Sequence, residues 1–210
     1  MFNFKINEVV TPSQLTDLFQ VKTLRGSRFI KETNTLVLIS DYTKGDHPNK
    51  WIGDTLHLTG NQKITGSIYS QLADSRTNGV TIHLFQVMDP GEFTYSGTVK
   101  LAADPYTEMG PEGLVWVFPV RPNQGDEVKK PAGLEFSDME DFKNRGEQAI
   151  YYFIRRRNNY IGYRVRHTQH GLGTVCSFDG TLLTVTFDNH QTKTYNFNQS
   201  VQGGYLNFAA

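Results

Sequence analysis

One cysteine, Cys176, is all the sequence has, so no internal disulfide forms and a reducing compartment fits. No apolar run approaches the length of a membrane span, which argues against an integral membrane protein. The N-terminus, MFNFKINEVV, does not join a basic start to a continuous apolar region, so no secretory signal is expected and the cytoplasm is the default location. Neither sign of charge is in excess, with 21 basic residues against 21 acidic ones in a chain of 210. Indiscriminate polyanion binders are usually strongly basic, so this balance disfavours one while leaving room for a local grip. The one basic block is IRRRNN at 154–159.

Several chemistries also lack their signatures. There is no Walker-type GxxxxGK[ST], no GxGxxG between a strand and a helix, and no GxSxG elbow. A single cysteine removes thiolate zinc clusters, and the run GTVCSF around Cys176 reads as a buried structural thiol. His167 and His170 in RHTQHG have the spacing of a metal pair, but without a nearby third ligand a polar turn accounts for them better. No cofactor is expected.

What the sequence does contain is a strand-rich first part and a differently styled tail. TPSQLTDLFQ (11–20) opens a helix, with Thr11 as N-cap, Pro12 at the first position and Gln14 completing a capping box. Strands are predicted at 35–40, 55–59, 79–88, 93–102 and 113–121, with a helical segment at SIYSQLADSRTNG stopped by Gly79. DPGE (89–92) should turn the chain so that its two flanking strands pair antiparallel. Residues 122–136, rich in Pro, Gly and charge, read as a linker. SDMEDFKNRGEQAIYYFIRRRNNY then reads as a helix, capped at Ser137, acidic at its start and basic at its end. The last fifty or so residues alternate short Val, Thr, Phe and Tyr strands with HGLG, FDG and DNH turns, the pattern of a small all-β barrel. The expected fold is α+β: a curved sheet or partial barrel with flanking helices at 1–121, a linker and helix at 122–160, and the small barrel at 161–210.

The stretch VLISDYTKGDHPNKWIGDTLHLTG (37–60) sets two large aromatics, Tyr42 and Trp51, among the polar residues Asp41, His47, Asp54, His57 and Thr59. A core needs the Trp without the polar company. A pocket for a flat ligand uses both: stacking gives about 1–3 kcal/mol per nucleobase, and a carboxylate accepts from an exocyclic amino group. Trp51 as plain core, with Asp41 and Asp54 bonding their own turns, explains the residues equally well.

This block, together with HLFQV (83–87) and WVFPVR (116–121), resembles the SRA-like domain of modification-dependent HNH restriction endonucleases over about residues 20–121. The most specific piece is W-x-G-D-x-L-H-x-T-G at 51–60. The resemblance implies a PUA-type fold that flips a modified cytosine out of duplex DNA into an aromatic pocket. It implies that Tyr42 and Trp51 wall the pocket and that Asp54, with Asp41 as understudy, supplies the acid. His57, Thr59 and Gly60 would lie beneath the base, and Arg25 and Arg28 would contact phosphates. Leu58 stands where the family pattern has a Tyr, which removes one stacking face. The tail, G-x-R-V-R-H-x-x-H-G-x-G-T-V (162–175) and LTVTFD (183–188), resembles a Tudor-like or SH3-like barrel of DNA helicases. It makes Arg164, Arg166 and His167 exposed contact candidates, and Arg155, Arg156 and Arg157 add phosphate contacts. No HNH signature occurs, so the expectation is a bacterial or phage-like reader of modified duplex DNA, tied to restriction or phage defence, without its own nuclease domain. A separate nuclease or other protein would partner it, and no membrane is involved. The alternatives are a base-flipping enzyme, nuclease or glycosylase, and a protein-interaction module with an aromatic cleft.

Overall fold

The computed structural model describes residues 4–24, 26–43, 48–60, 63–64, 67–110, 113–123, 127–157, 160–178 and 182–209, with only the backbone at 67, 155–157, 198 and 202. The chain divides into two compact units, Met1–Tyr151 and Tyr152–Ala210. Among the described residues no helix is long and apolar enough to cross a membrane.

In the first unit, β1 (Val9–Val10) leads into α1 (Pro12–Phe19). Thr11 caps α1, and the reciprocal bonds with Gln14 form the capping box that the sequence predicts. There follow β2 (Arg28–Ile30), β3 (Thr35–Asp41), β4 (Lys50–Ile52), β5 (Thr55–Thr59), α2 (Ser67–Ala73) and β6 (Thr81–Val87). Then come β7 (Phe93–Leu101), β8 (Tyr106–Gly110), β9 (Gly113–Pro122), β10 (Glu135–Phe136) and α3 (Met139–Arg157). One mixed sheet holds these strands in the order β10-β4-β5-β9-β7-β6-β3-β2, with β1 on β7 and β8 on β9. β3 pairs parallel with β6, and β10 parallel with β4. β6 and β7 pair antiparallel around the 89–92 turn, which Glu92 N–H closes onto the Asp89 carbonyl.

Both faces of β3 are covered, as a run without polar alternation requires. Leu36 and Leu38 join Trp51, Leu56, Leu58 and Phe118 on one side, and Val37 joins Leu15, Leu24, Phe85 and Tyr95 on the other. Part of the expected linker is packed: Val128, Leu134 and Phe136 are buried, and the Trp51 N–H donates to the Leu134 carbonyl. These three apolar side chains anchor a segment whose Pro, Gly and charge otherwise suggest a tether. The predicted helix forms, but its cap is Asp138, whose Oδ1 accepts from Asp141 N–H, while Ser137 bonds the Asp141 carboxylate. Gly146 is buried in this helix because the Phe142 ring occupies the space a Cβ would need.

The second unit contains β11 (Arg164–His167), β12 (Gly171–Phe178), β13 (Leu182–Phe187), β14 (Thr192–Asn196), α4 (Phe197–Gln202) and β15 (Leu206–Phe208). They form a five-stranded sheet in the order β14-β13-β12-β11-β15, antiparallel throughout, over a core of Val165, Val175, Leu183, Val185, Phe187 and Leu206. Cys176 corrects the sequence reading. It is exposed, because it is the extra residue where the register of β12 on β13 shifts between the inward Val175 and Ser177, and its thiol bonds the Thr184 carbonyl.

Candidate functional site

The opening stretch builds two different things on the two faces of one hairpin. On the apolar face stand Trp51, Leu56 and Leu58. The indole is 1 % exposed and its Nε1–H donates to Gln86 Oε1 at 3.0 Å. Tyr42, also 1 % exposed, donates its hydroxyl to the same oxygen at 3.2 Å, and burial pushes its pKa well up. Gln86 Nε2 donates to Ser96 Oγ and to the Lys129 carbonyl, so the amide is satisfied on both ends. Tyr42 and Trp51 therefore do not wall an open pocket: ring faces packed at this depth have no room for a base. Their polar atoms explain why the core carries polar company, since a buried N–H or O–H needs a partner.

The expected acids are likewise placed elsewhere. Asp54 sits with Gly53 in the two-residue turn between β4 and β5, 72 % exposed at the side chain and 3.7 Å from Arg121 Nη1. That turn is at the opposite end of the hairpin from Thr59, so Asp54 does not stand beside His57 and Thr59. Asp41 Oδ1 accepts from the backbone N–H and the hydroxyl of Thr43, the turn role weighed for it. A cavity of about 260 Å³ lined by Asn7, Glu127, Val128, Lys129, Lys130 and Glu135 also lies toward that turn, where Lys130 Nζ bonds the Gly53 carbonyl.

The polar face of the hairpin holds what the sequence points to and more. Successive strand residues alternate faces, so His57 and Thr59 share this face with Lys50, the cross-strand partner of His57. Thr59 N–H donates to Asn49 Oδ1 at 2.7 Å, and Asn49 Nδ2 donates to Ser40 Oγ at 2.7 Å. The Thr59 hydroxyl is buried and has no hydrogen-bond partner among the described residues. Gly60 follows with the Tyr69 and Phe118 rings, stacked 5.3 Å apart, so close that a Cβ would meet both at 2.9 Å. Any larger residue there would displace this stack from the strand end.

Lys50 is buried at 1 % exposure, an unusual place for an ammonium unless it is paired. Its Nζ lies 2.5 Å from Glu108 Oε1 and 4.8 Å from the Phe142 ring centre. Since β8 lies across β9 from β5, this ion pair spans the two strands between β4 and β8. Tyr106, in the same cross-strand row as Val117 and Thr59, places its hydroxyl 2.9 Å from His57 Nδ1. Burial holds the His57 pKa down at about 4, with Lys50 adding to the effect and Glu108 opposing it. The Tyr106 hydroxyl is pushed up by burial, then by the Glu108 charge and hydrogen bond. Lys50, Tyr106 and Glu108 escaped the sequence reading, although a lysine in a strand facing a histidine was a usable signal.

Of the basic candidates, Arg28 is exposed and donates to the Thr23 carbonyl, while Arg25 and the side chains of Arg155, Arg156 and Arg157 lie outside the described residues. His47 does too. Arg164 is exposed but engaged: both terminal nitrogens bond the Asp188 carboxylate, at 2.8 and 2.7 Å, and this raises its pKa. Arg166 is exposed on the same strand. His167, expected outside, is 7 % exposed and stacks on His170 at 4.6 Å, because it occupies an inward position of β11.

No protein-family model and no curated protein matches the chain. Solved structures similar to it include the SRA domain of SUVH5 in complex with hemi-methylated CG DNA, at 15 % identity and a TM-score of 0.47, covering 61 % of this chain and 94 % of that one. KRYPTONITE in complex with mCHH DNA, an H3(1-15) peptide and SAH is similar at 13 % identity and TM-score 0.44, covering 61 % and 34 %. SUVH6 of Arabidopsis thaliana in complex with SAM is similar at 19 % identity and TM-score 0.45, covering 60 % and 27 %. These are distant likenesses, and the functional reading below rests on the residues of this chain.

Proposed function

We propose that the first unit binds duplex DNA carrying a modified cytosine, receives the extruded base against the polar face of β5, and reads it without cutting the strand. The observation that carries this reading is the buried hydroxyl of Thr59, unpartnered among the described residues, within the W-x-G-D-x-L-H-x-T-G segment. An orphaned buried hydroxyl costs about 1–3 kcal/mol, which a ligand hydrogen bond recovers. Extruding a base loses a few kcal/mol of stacking and pairing, so contacts of this kind have to accumulate. Thr59 and His57 supply polar contacts, Tyr106 supplies the half-buried aromatic ring in the row of Thr59, and Gly60 lets the Tyr69 and Phe118 rings pack against the strand end beneath them. Trp51 and Tyr42 serve the site from behind, holding β3, β4 and β6 together through Gln86.

Arg28, with Arg25, provides phosphate contacts in this unit, each worth about one unit of salt slope. The second unit acts as a Tudor-like module that adds duplex or partner contacts, with Arg166 as its exposed guanidinium, Arg164 being committed to Asp188. Arg155, Arg156 and Arg157 are further candidate phosphate contacts, and a nuclease acting in trans is the natural partner of such a reader.

The test is a binding panel of duplexes containing cytosine, methylcytosine, hydroxymethylcytosine or glucosylated cytosine at one position, run with and without divalent metal. The parent should prefer a modified duplex and leave every strand intact, and Thr59→Val, which keeps volume and removes the hydroxyl, should weaken that binding about tenfold. Equal affinity across the panel, or an unaffected Thr59→Val variant, sinks the reading, and strand cleavage by the parent replaces a reader with an enzyme.

A further inference from the structure

Asn49 stands where backbone pairing stops, since the ladder of β4 on β5 ends at Lys50 and His57. Its side-chain amide takes up the next link. Oδ1 accepts from the Thr59 backbone N–H at 2.7 Å, and Nδ2 donates to Ser40 Oγ at 2.7 Å. A backbone N–H only donates, so the amide oxygen is the atom that faces Thr59, and the orientation of the whole amide follows. Ser40, on β3, is fully buried, and β9, β7 and β6 separate β3 from β5 in the sheet. One amide thus ties the ends of two strands that no ladder bonds connect. Its nitrogen carries two protons, and Ser40 takes one. The second has no partner among the described residues, and Asn49 is only half-buried. Beside it, the Thr59 hydroxyl is also unpartnered among the described residues.

Resting on the function proposed above, we propose that Asn49 is a specificity-determining residue of the base seat, whose second Nδ2 proton is donated to N3 of the extruded cytosine. The two open groups differ in what they select. A hydroxyl rotates to donate or to accept, so Thr59 grips a base without sorting it. An amide N–H only donates, and it rejects a ligand that presents a proton at the same point. Cytosine has a bare N3, whereas thymine and other 5-substituted uracils carry a proton there. A seat that admits a group at C5 admits the matching uracil by shape as well, so a donor at N3 is what refuses it.

The test uses the full chain and sets each modified cytosine of the binding panel against the uracil that carries the same group at C5, always opposite guanine. A uracil–guanine mispair opens more easily than a cytosine–guanine pair, so extrusion cost alone favours the uracil. By fluorescence anisotropy the parent should nevertheless bind its preferred modified cytosine about tenfold more tightly than the matching uracil. Asn49→Asp keeps an oxygen for the Thr59 N–H and lets the Ser40 hydroxyl donate to the other, so the strand ends stay tied while the donor is lost. It should weaken binding of the modified cytosine about tenfold and bring the ratio to one or below, whereas a purely structural role would weaken both duplexes alike. Nitrogen-15 NMR of the parent is the second readout. One proton of the Asn49 side-chain amide should be protected from exchange in the free protein, and the other should become protected only with the modified-cytosine duplex. A parent that binds the two bases equally, an Asn49→Asp variant that keeps the ratio, or an amide unchanged by the duplex overturns the inference, while Thr59→Val still reports on base reading. If Asn49→Asp does not fold, the parent's ratio and amide protons decide by themselves. A parent that prefers no modified cytosine to cytosine overturns the functional reading, and this inference with it.

Discussion

Two histidines of the first unit each meet a tyrosine hydroxyl at 2.9 Å through Nδ1: His57 with Tyr106, and His83 with Tyr95. Both are nearly buried, at 7 % and 8 % exposure, and both have their pKa held down at about 4. Their surroundings differ. His83 lies beside Phe19 and Tyr95, with Phe85 and Phe4 packed on that tyrosine, and its shift comes from burial. His57 lies beside the Lys50–Glu108 pair, and both charges act on it. The bond geometry is therefore no mark of a site. What separates the two is the ion pair, whose two charges act on His57 in addition to burial, whereas burial is what shifts His83.

Breaking that ion pair should give the largest effect. Glu108→Gln strands an ammonium whose side chain is 2 % exposed, and removing one partner of a buried pair costs about 3 kcal/mol or more. Tyr95→Phe, which removes the hydroxyl bonded to His83, should cost about 1 kcal/mol. Replacing both charges by apolar residues, Lys50→Met with Glu108→Leu, should recover most of the loss, because no charge is then left uncompensated. Urea denaturation of the three variants measures all of this, and equal costs for Glu108→Gln and Tyr95→Phe would erase the distinction between the two histidines.

Acid should act on both pairs with the same sign and separate them by cause. Each histidine titrates near 6.5 when unfolded and at about 4 when folded, so between those values the unfolded chain binds the extra protons. Stability contributed by the neutral rings is complete above about pH 6.5 and is lost as the pH falls toward 4. His57→Leu and His83→Leu should each remove a share of that slope in melting temperature against pH. Only the His57 midpoint, followed by NMR, should move in the Lys50→Met, Glu108→Leu double variant. A His83 midpoint that moves as much would show the ion pair to be acting on the whole sheet.

The elements that could be foreseen are those whose signals are local. The Thr11 capping box, the apolar run of β3 and the turn at 89–92 are written within a few residues each, and all three form. The polar face was half legible: Thr59 and His57 come from one short segment, and alternation alone puts them side by side. Glu108 and Tyr106 could not be foreseen, because they reach His57 and Lys50 only through the placement of β8 across β9, about fifty residues on in the chain. Trp51 and Tyr42 misled for a related reason. Polar neighbours in sequence suggested a wet pocket, whereas the partner that satisfies both rings is Gln86, on a strand whose pairing with β3 the local sequence does not reveal.

The smallest effect should come from the acid that the sequence favoured. Asp54 and Arg121 form an exposed pair at 3.7 Å, with 72 % and 45 % of their side chains accessible, and such pairs contribute from nothing to about 1 kcal/mol. Asp54→Ala should therefore shift stability by no more than about 0.5 kcal/mol and leave duplex affinity unchanged. Glu108, the acid that structure puts on the polar face, is the contrasting case. Its replacement should disturb stability and the electrostatics at His57 together, since this carboxylate pairs the buried Lys50 and its charge acts on the imidazole. A loss of duplex binding in Asp54→Ala as large as in Thr59→Val would return the pocket to the turn end of the hairpin, beside the cavity near Lys130, and would leave the His57 face as structure only.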